Sequence, residues 1–116
     1  MNDFLLLMHN DAVDSKLAND GKAWEDYFTS LQQSGGFAGG SEIGVGRCFR
    51  KEIKLDAKVL MSGAIQNPAM PQANSDHLTG FIRLRVANMA AAEALLLGNP
   101  IYEAGGTVEI RELPAD

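Results

Sequence analysis

Apolar residues fall in three rhythms along this chain. The first is a continuous run, Phe4 to Met8, that leads into His9, Asn10 and Asp11. An unbroken run of this length predicts a strand over residues 3–9 that is covered on both faces, and therefore central in its sheet. Residues 10–21 are polar and rich in Asp, Asn and Ser, which reads as a loop. The second rhythm is helical. Trp24, Tyr27, Phe28 and Leu31 recur at i, i+3, i+4 and i+7, with Glu25, Asp26, Gln32 and Gln33 on the other side. Asp20 is placed to cap this helix and Ser34-Gly35-Gly36 to stop it.

The third rhythm is alternation. In residues 80–86, Ile82, Leu84 and Val86 share one parity, and Phe81, Arg83 and Arg85 the other. In residues 107–113, Val108 and Ile110 oppose Thr107, Glu109 and Arg111. Both segments predict strands. Between them Asn88 caps a predicted helix running to about Leu97, ended by Gly98-Asn99-Pro100. That helix is apolar nearly all round, so Leu96 and Leu97 call for a second cover, from a loop or another subunit.

The middle of the chain is less regular. Residues 37–44, "FAGGSEIG", predict a glycine-weakened strand where backbone or ligand approaches closely. Residues 47–55 and 58–62 predict a hairpin around Asp56-Ala57. Residues 63–79 read as a long loop, a feature that is often functional. With the hairpin set aside, the order is β-α-β-β-α-β, the ferredoxin-like split unit of the α+β class. Two helices then cover one sheet face. The other face carries Arg83, Arg85, Glu109 and Arg111 among apolar residues and is suited to packing on a second copy, with a pocket between the two.

Composition narrows the function classes. At 116 residues the chain is expected to form one domain, 1–116, with a core that needs no disulfide or metal. A net charge of -5 provides no basic footprint for nucleic acid. The single cysteine, Cys48, excludes an intrachain disulfide, has no zinc spacing and suits a reducing cytoplasm. No run approaches the roughly 20 apolar residues of a membrane helix, and the opening run is too short for a secretory leader. No membrane or nucleic-acid partner, metal or cofactor is expected.

Taken together, "LLL" ending on a polar residue, "LQQSGGFAGGSEIG", "RCFRKEIKLDAKVLMSG" and the closing "GFIRLRVANMAAAEALLLGNPIYEAGGTVEIREL" resemble the YCII-related family, and within it the branch named for an Asp-Gly-Pro-Phe motif. The resemblance covers nearly the whole chain and is strongest in the closing segment. It implies a dimeric ferredoxin-like α+β barrel, a homodimer, and a cleft in which a His and an Asp meet. Where the branch has its motif, this chain has Ser62-Gly63-Ala64-Ile65, so only the glycine is kept. The stretch that follows, "QNPAMPQANSDHLT", is also longer.

Several residues carry candidate chemistry, each with a plainer alternative. His9 with Asp11 reads as a general acid/base, or as a strand end reaching water. Asp76 and His77 lie just before the residue-80 strand. An antiparallel neighbour of the first strand would bring them near His9, as an acid/base pair or weak metal site; a polar turn is the alternative. No HxH or HExxH spacing supports a dedicated metal centre. Glu42 matches a common glutamate of the resembled branch and is a candidate ligand contact or an exposed loop carboxylate. Arg47 and Arg83 are candidate anion contacts; for Arg83 and Arg85, pairing with Glu109 across strands is the simpler expectation. "GGSEIGVG" lacks both GxGxxG and a Walker lysine. Cys48 reads as a structural thiol.

Two function classes follow. One is a small dimeric enzyme that moves a proton on a small organic molecule. The other is a non-catalytic ligand-binding or interaction module. Wide separation of His9 and His77, with no carboxylate in reach of either, would favour the module.

Overall fold

The structure is a computed structural model and describes residues 1–51 and 75–115. It divides into two compact units. The first joins both ends of the chain, Met1–Gly44 with His77–Asp116, and the second is Val45–Asp76. Residues 45–51 of the second unit carry no regular secondary structure. The remainder of the expected hairpin, and most of the expected long loop, lie outside the described residues.

The first unit is α+β, with a four-stranded antiparallel sheet. Its elements are β1 (Asn2–His9), α1 (Ser15–Ala18), α2 (Gly21–Ser34), β2 (Phe37–Glu42), β3 (Leu78–Val86), α3 (Met89–Ala94), α4 (Pro100–Glu103) and β4 (Val108–Leu113). Strand order is β2-β3-β1-β4, and every pairing is antiparallel. The apolar run thus lies inside the sheet, with β3 on one side and β4 on the other.

Alternation along β1 separates two faces. Phe4, Leu6 and Met8 are buried, whereas Leu5, Leu7 and His9 are half-buried. Register extends the first face through Ile82, Leu84 and Ile110, and the second through Phe81, Arg83, Glu109 and Arg111. The hydrophobic core gathers Phe4, Leu6 and Met8 with Tyr27, Leu31 and Ile101; Leu5 and Leu7 take no part in it. The described helices therefore cover one face; the other, called the open face below, takes none of them. Full burial of each large core side chain is worth about 1.5–3 kcal/mol.

Local sequence sets the helix ends. The Asp20 carboxylate accepts from the Lys22 and Ala23 amides, and Gly35 closes α2 in the left-handed conformation at φ 78°. Trp24 and Phe28 stack at 5.8 Å, and Phe37 meets Phe28 edge-on, so the α2 stripe packs onto β2. The close approach expected in the glycine-rich strand is of backbone to backbone: a Cβ on Gly40 would lie 2.6 Å from the Phe81 carbonyl oxygen.

Three expectations are corrected. The loop over residues 10–21 contains α1, capped by Asp14; four residues are too few for a periodic signal. The helix capped by Asn88 ends at Ala94, and a second begins at Pro100. Asn99, fully buried, caps α4 through the Ile101 and Tyr102 amides, and Pro100 occupies the first turn, a pairing that favours a new start over continuation. Leu96 packs on the chain's own core, while Leu97 is 73% exposed, so only Leu97 still lacks a cover.

Candidate active site on the open face of the sheet

His9 closes β1 on the open face. Antiparallel pairing brings the start of β4 beside it: Met8 opposes Val108, Leu7 opposes Glu109, and the His9 amide donates to the Thr107 carbonyl at 3.0 Å. Glu109 is thus a diagonal neighbour of His9 on one face, within reach of a long side chain. His9 Nε2 lies 2.9 Å from Glu109 Oε1. An ionised carboxylate only accepts hydrogen bonds, so Nε2 carries the hydrogen and donates it. Arg111 donates from Nε to Glu109 Oε2 at 3.2 Å. The His9 hydrogen bond, helped by the Arg111 charge, holds the Glu109 carboxyl below its usual range, against the partial desolvation that pushes it up.

On the other side, β3 carries a bulge. Met8 opposes Gly80 but His9 opposes Leu78, which leaves Thr79 as an extra residue. The Asn10 amide donates to the His77 carbonyl at 2.8 Å, and the Thr79 hydroxyl donates to the Met8 carbonyl at 3.3 Å. These bonds tie the His77 backbone to the end of β1. The two imidazole rings then meet, with centroids 4.6 Å apart and planes tilted by 58°. His9, at 17% side-chain exposure, is the shielded member; His77 is exposed.

The remaining candidates take other places. The Asp11 carboxylate accepts from the Thr107 amide at 2.8 Å and from the Thr107 hydroxyl at 2.6 Å. Those bonds, the hydroxyl's first, hold it below the usual carboxyl range. The carboxylate on His9 is accordingly Glu109, and Asp11 fastens the end of β1 to the start of β4. Arg83 does not pair Glu109, because β1 lies between β3 and β4. Arg83 and Arg85 both donate to Asp3, and Arg85 sits directly opposite it. This cluster is six residues from His9 along β1, about 20 Å away, so Arg83 does not share a small ligand with His9 within one chain. Glu42 opposes Gly80, which opposes Met8, and so takes the parity opposite to His9. Asp76 and Arg47 belong to the second unit, where both are exposed. Cys48 is free and half-buried. No group of three or more metal-ligating side chains occurs among the described residues.

Glu109 and the bulge escaped the sequence reading. A signal for Glu109 was present, since an antiparallel β4 beside a central β1 must begin where β1 ends. The bulge left none.

No family model and no curated protein sequence matches the chain. Among solved structures, it is similar to a 5-chloro-2-hydroxyhydroquinone dehydrochlorinase from Burkholderia phenoliruptrix, determined in complex with 2,5-dihydroxybenzoquinone. The TM-score is 0.53 at 10% identity, over 98% of this chain and 95% of that one. A likeness at that identity shows a shared fold. No helix among the described residues is long and apolar enough to cross a membrane.

Proposed function

We propose that this chain is a YCII-related, homodimeric enzyme of the ferredoxin-like α/β-barrel type that moves a proton on a small organic molecule in the cytoplasm. In this reading 1–116 acts as one domain, with the second unit inserted between β2 and β3. His9 is the general acid/base and Glu109 the carboxylate that orients it. The observation that carries the reading is the 2.9 Å contact between His9 Nε2 and Glu109 Oε1 on a sheet face that the chain's own helices leave open. Support for the fold comes from the strand order β2-β3-β1-β4 and the helices placed after β1 and β3. Support for self-association comes from Leu5, Leu7 and Phe81, half-buried on that face.

With Nε2–H held by Glu109, Nδ1 is the atom that exchanges protons with a ligand. When Nδ1 takes a proton, the new positive charge faces the Glu109 carboxylate across the Nε2–H bond. That stabilises the imidazolium and returns the ring to one orientation. His77 packs against the ring and limits its tilt. A positioned acid/base of this kind contributes about 10²–10⁴-fold in rate. Fold alone carries no function; the solved dehydrochlorinase serves to choose a probe.

The test follows deuterium exchange into acidic C–H positions of a panel of carbonyl and hydroxyquinone compounds, 2,5-dihydroxybenzoquinone included, by NMR. Exchange that depends on the protein and falls at least 100-fold in His9→Ala, with an unchanged melting transition, is the expected result. Equal exchange in the two proteins would sink the proposal. Binding without exchange would favour the ligand-binding module, a reading motivated by Ser62-Gly63-Ala64-Ile65 in place of Asp-Gly-Pro-Phe. Sedimentation at micromolar concentration tests the dimer, and a strict monomer contradicts it.

A further inference from the structure

The geometry points to Arg111 as a positioning residue that acts on His9 through Glu109, fixing the carboxylate plane so that the imidazole is held in one orientation. This rests on the proposed proton-transfer role of His9. Three side chains form the line: Arg111 Nε, Glu109 Oε2 and Oε1, and His9 Nε2, with links of 3.2 Å and 2.9 Å. Glu109 and Arg111 stand two residues apart on β4 and so share the open face, opposite Leu7 and Leu5. β4 is an edge strand, and the Glu109 side chain is 36% exposed. A carboxylate there has water as a competing partner. With only His9 to hold it, the group can turn about its terminal bond and let the imidazole go. With a separate donor on each oxygen, it cannot turn without breaking both bonds.

A purely structural role for Arg111 is not supported by its surroundings. Its side chain is 70% exposed and takes no part in the hydrophobic core. Among the described residues its side chain hydrogen-bonds Glu109, within its own strand. The ionisable groups on this face that bear on the line are the two imidazoles, Glu109 and Arg111; Asp11 is engaged by Thr107. Arg83, Arg85 and Asp3 form their own cluster at the far end. No other cation bonds Glu109 among the described residues.

The experiment measures exchange of the His9 Nε2 hydrogen with water, by proton NMR on the nitrogen-15-labelled full chain at fixed pH. A protected Nε2–H resonance is expected in the natural protein, and its loss into rapid exchange in Glu109→Ala. Arg111→Ala should speed exchange about fivefold, the upper end of what an exposed ion pair supplies. Arg111→Lys, which keeps the charge on a flexible stem, should recover to within about twofold of the natural rate. An unchanged rate in Arg111→Ala overturns the inference, as does a protected resonance that survives Glu109→Ala. The amide spectrum of each variant establishes that the fold is kept; should the alanine variant unfold, Arg111→Met, which keeps the length but removes the donor and the charge, takes its place, with the same rise of about fivefold expected and the same unchanged rate overturning the inference. No substrate enters the measurement, so an inert His9 in the deuterium-exchange assay and a slack Glu109 give separate results.

Discussion

The two faces of one strand do different work in this protein. Along β1, Phe4, Leu6 and Met8 turn to the helices and disappear from solvent, while Asp3, Leu5, Leu7 and His9 turn to the open side. Among the described residues, every charged side-chain contact of the sheet lies on that second face: Asp3 with Arg83 and Arg85 at one end, His9 with Glu109 and Arg111 at the other. The difference shows how a small α+β unit separates apolar burial from ionisable groups. Apolar burial concentrates on the side closed by the chain itself. Ionisable groups gather where water or a partner can reach them and where desolvation costs less.

The largest expected effect comes from crossing between adjacent positions of β1. Leu6→Ala removes a fully buried side chain and should cost about 2–5 kcal/mol in urea unfolding. Leu7→Ala, one residue on, should cost about 1 kcal/mol in the same experiment. Equal losses at the two positions would erase the distinction between the faces. Gly40→Ala comes next, at about 1–3 kcal/mol, because its Cβ meets the β3 backbone and the strands must separate to admit it. A neutral Gly40→Ala would show that β2 is held more loosely than its pairing with β3 indicates.

A smaller effect on stability, read instead as assembly, is expected from Leu7→Ser. It should abolish the proposed self-association in sedimentation at micromolar concentration and leave the far-ultraviolet spectrum unchanged. Persistence of a dimer in this variant would move the proposed interface off the open face. The smallest effect concerns acid. Hydrogen bonds from Arg85 and then Arg83 hold the Asp3 carboxyl far below its usual range. A carboxyl depressed in the folded state stabilises the fold fully above its ordinary value of about 3.9, and the contribution is lost as pH falls from there through the depressed value. Asp3→Asn should flatten the fall in melting temperature below about pH 4 and change little at pH 7 beyond loss of the exposed pairs. Added salt should shrink the difference. An identical acid limb in the two proteins would show that the cluster contributes nothing to folding.

Much of the fold was legible because its signals are local. The stripe of Trp24, Tyr27, Phe28 and Leu31 marks α2, and Asp20 and Asn88 cap helices where they stand in the sequence. The parities of β3 and β4 appear as read, since alternation depends on nothing beyond the strand. The break between α3 and α4 was missed because Asn99 and Pro100 read equally well as the end of one helix or the start of another. Tertiary packing decided it, by burying Asn99 under Met8, whose sulfur lies 3.7 Å from its amide nitrogen.

The chain by itself determined the four strands and α2, the central place of the apolar run and the parity that puts His9 with Leu5 and Leu7. Only the tertiary structure decided which side of β1 the helices take and which carboxylate meets the imidazole. Asp11, two residues away, lost that place to Glu109, a hundred residues away. Sequence separation does not govern contact across a sheet. Register does, and here one extra residue at Thr79 and one hydrogen bond from His9 to Thr107 set where the side chains meet.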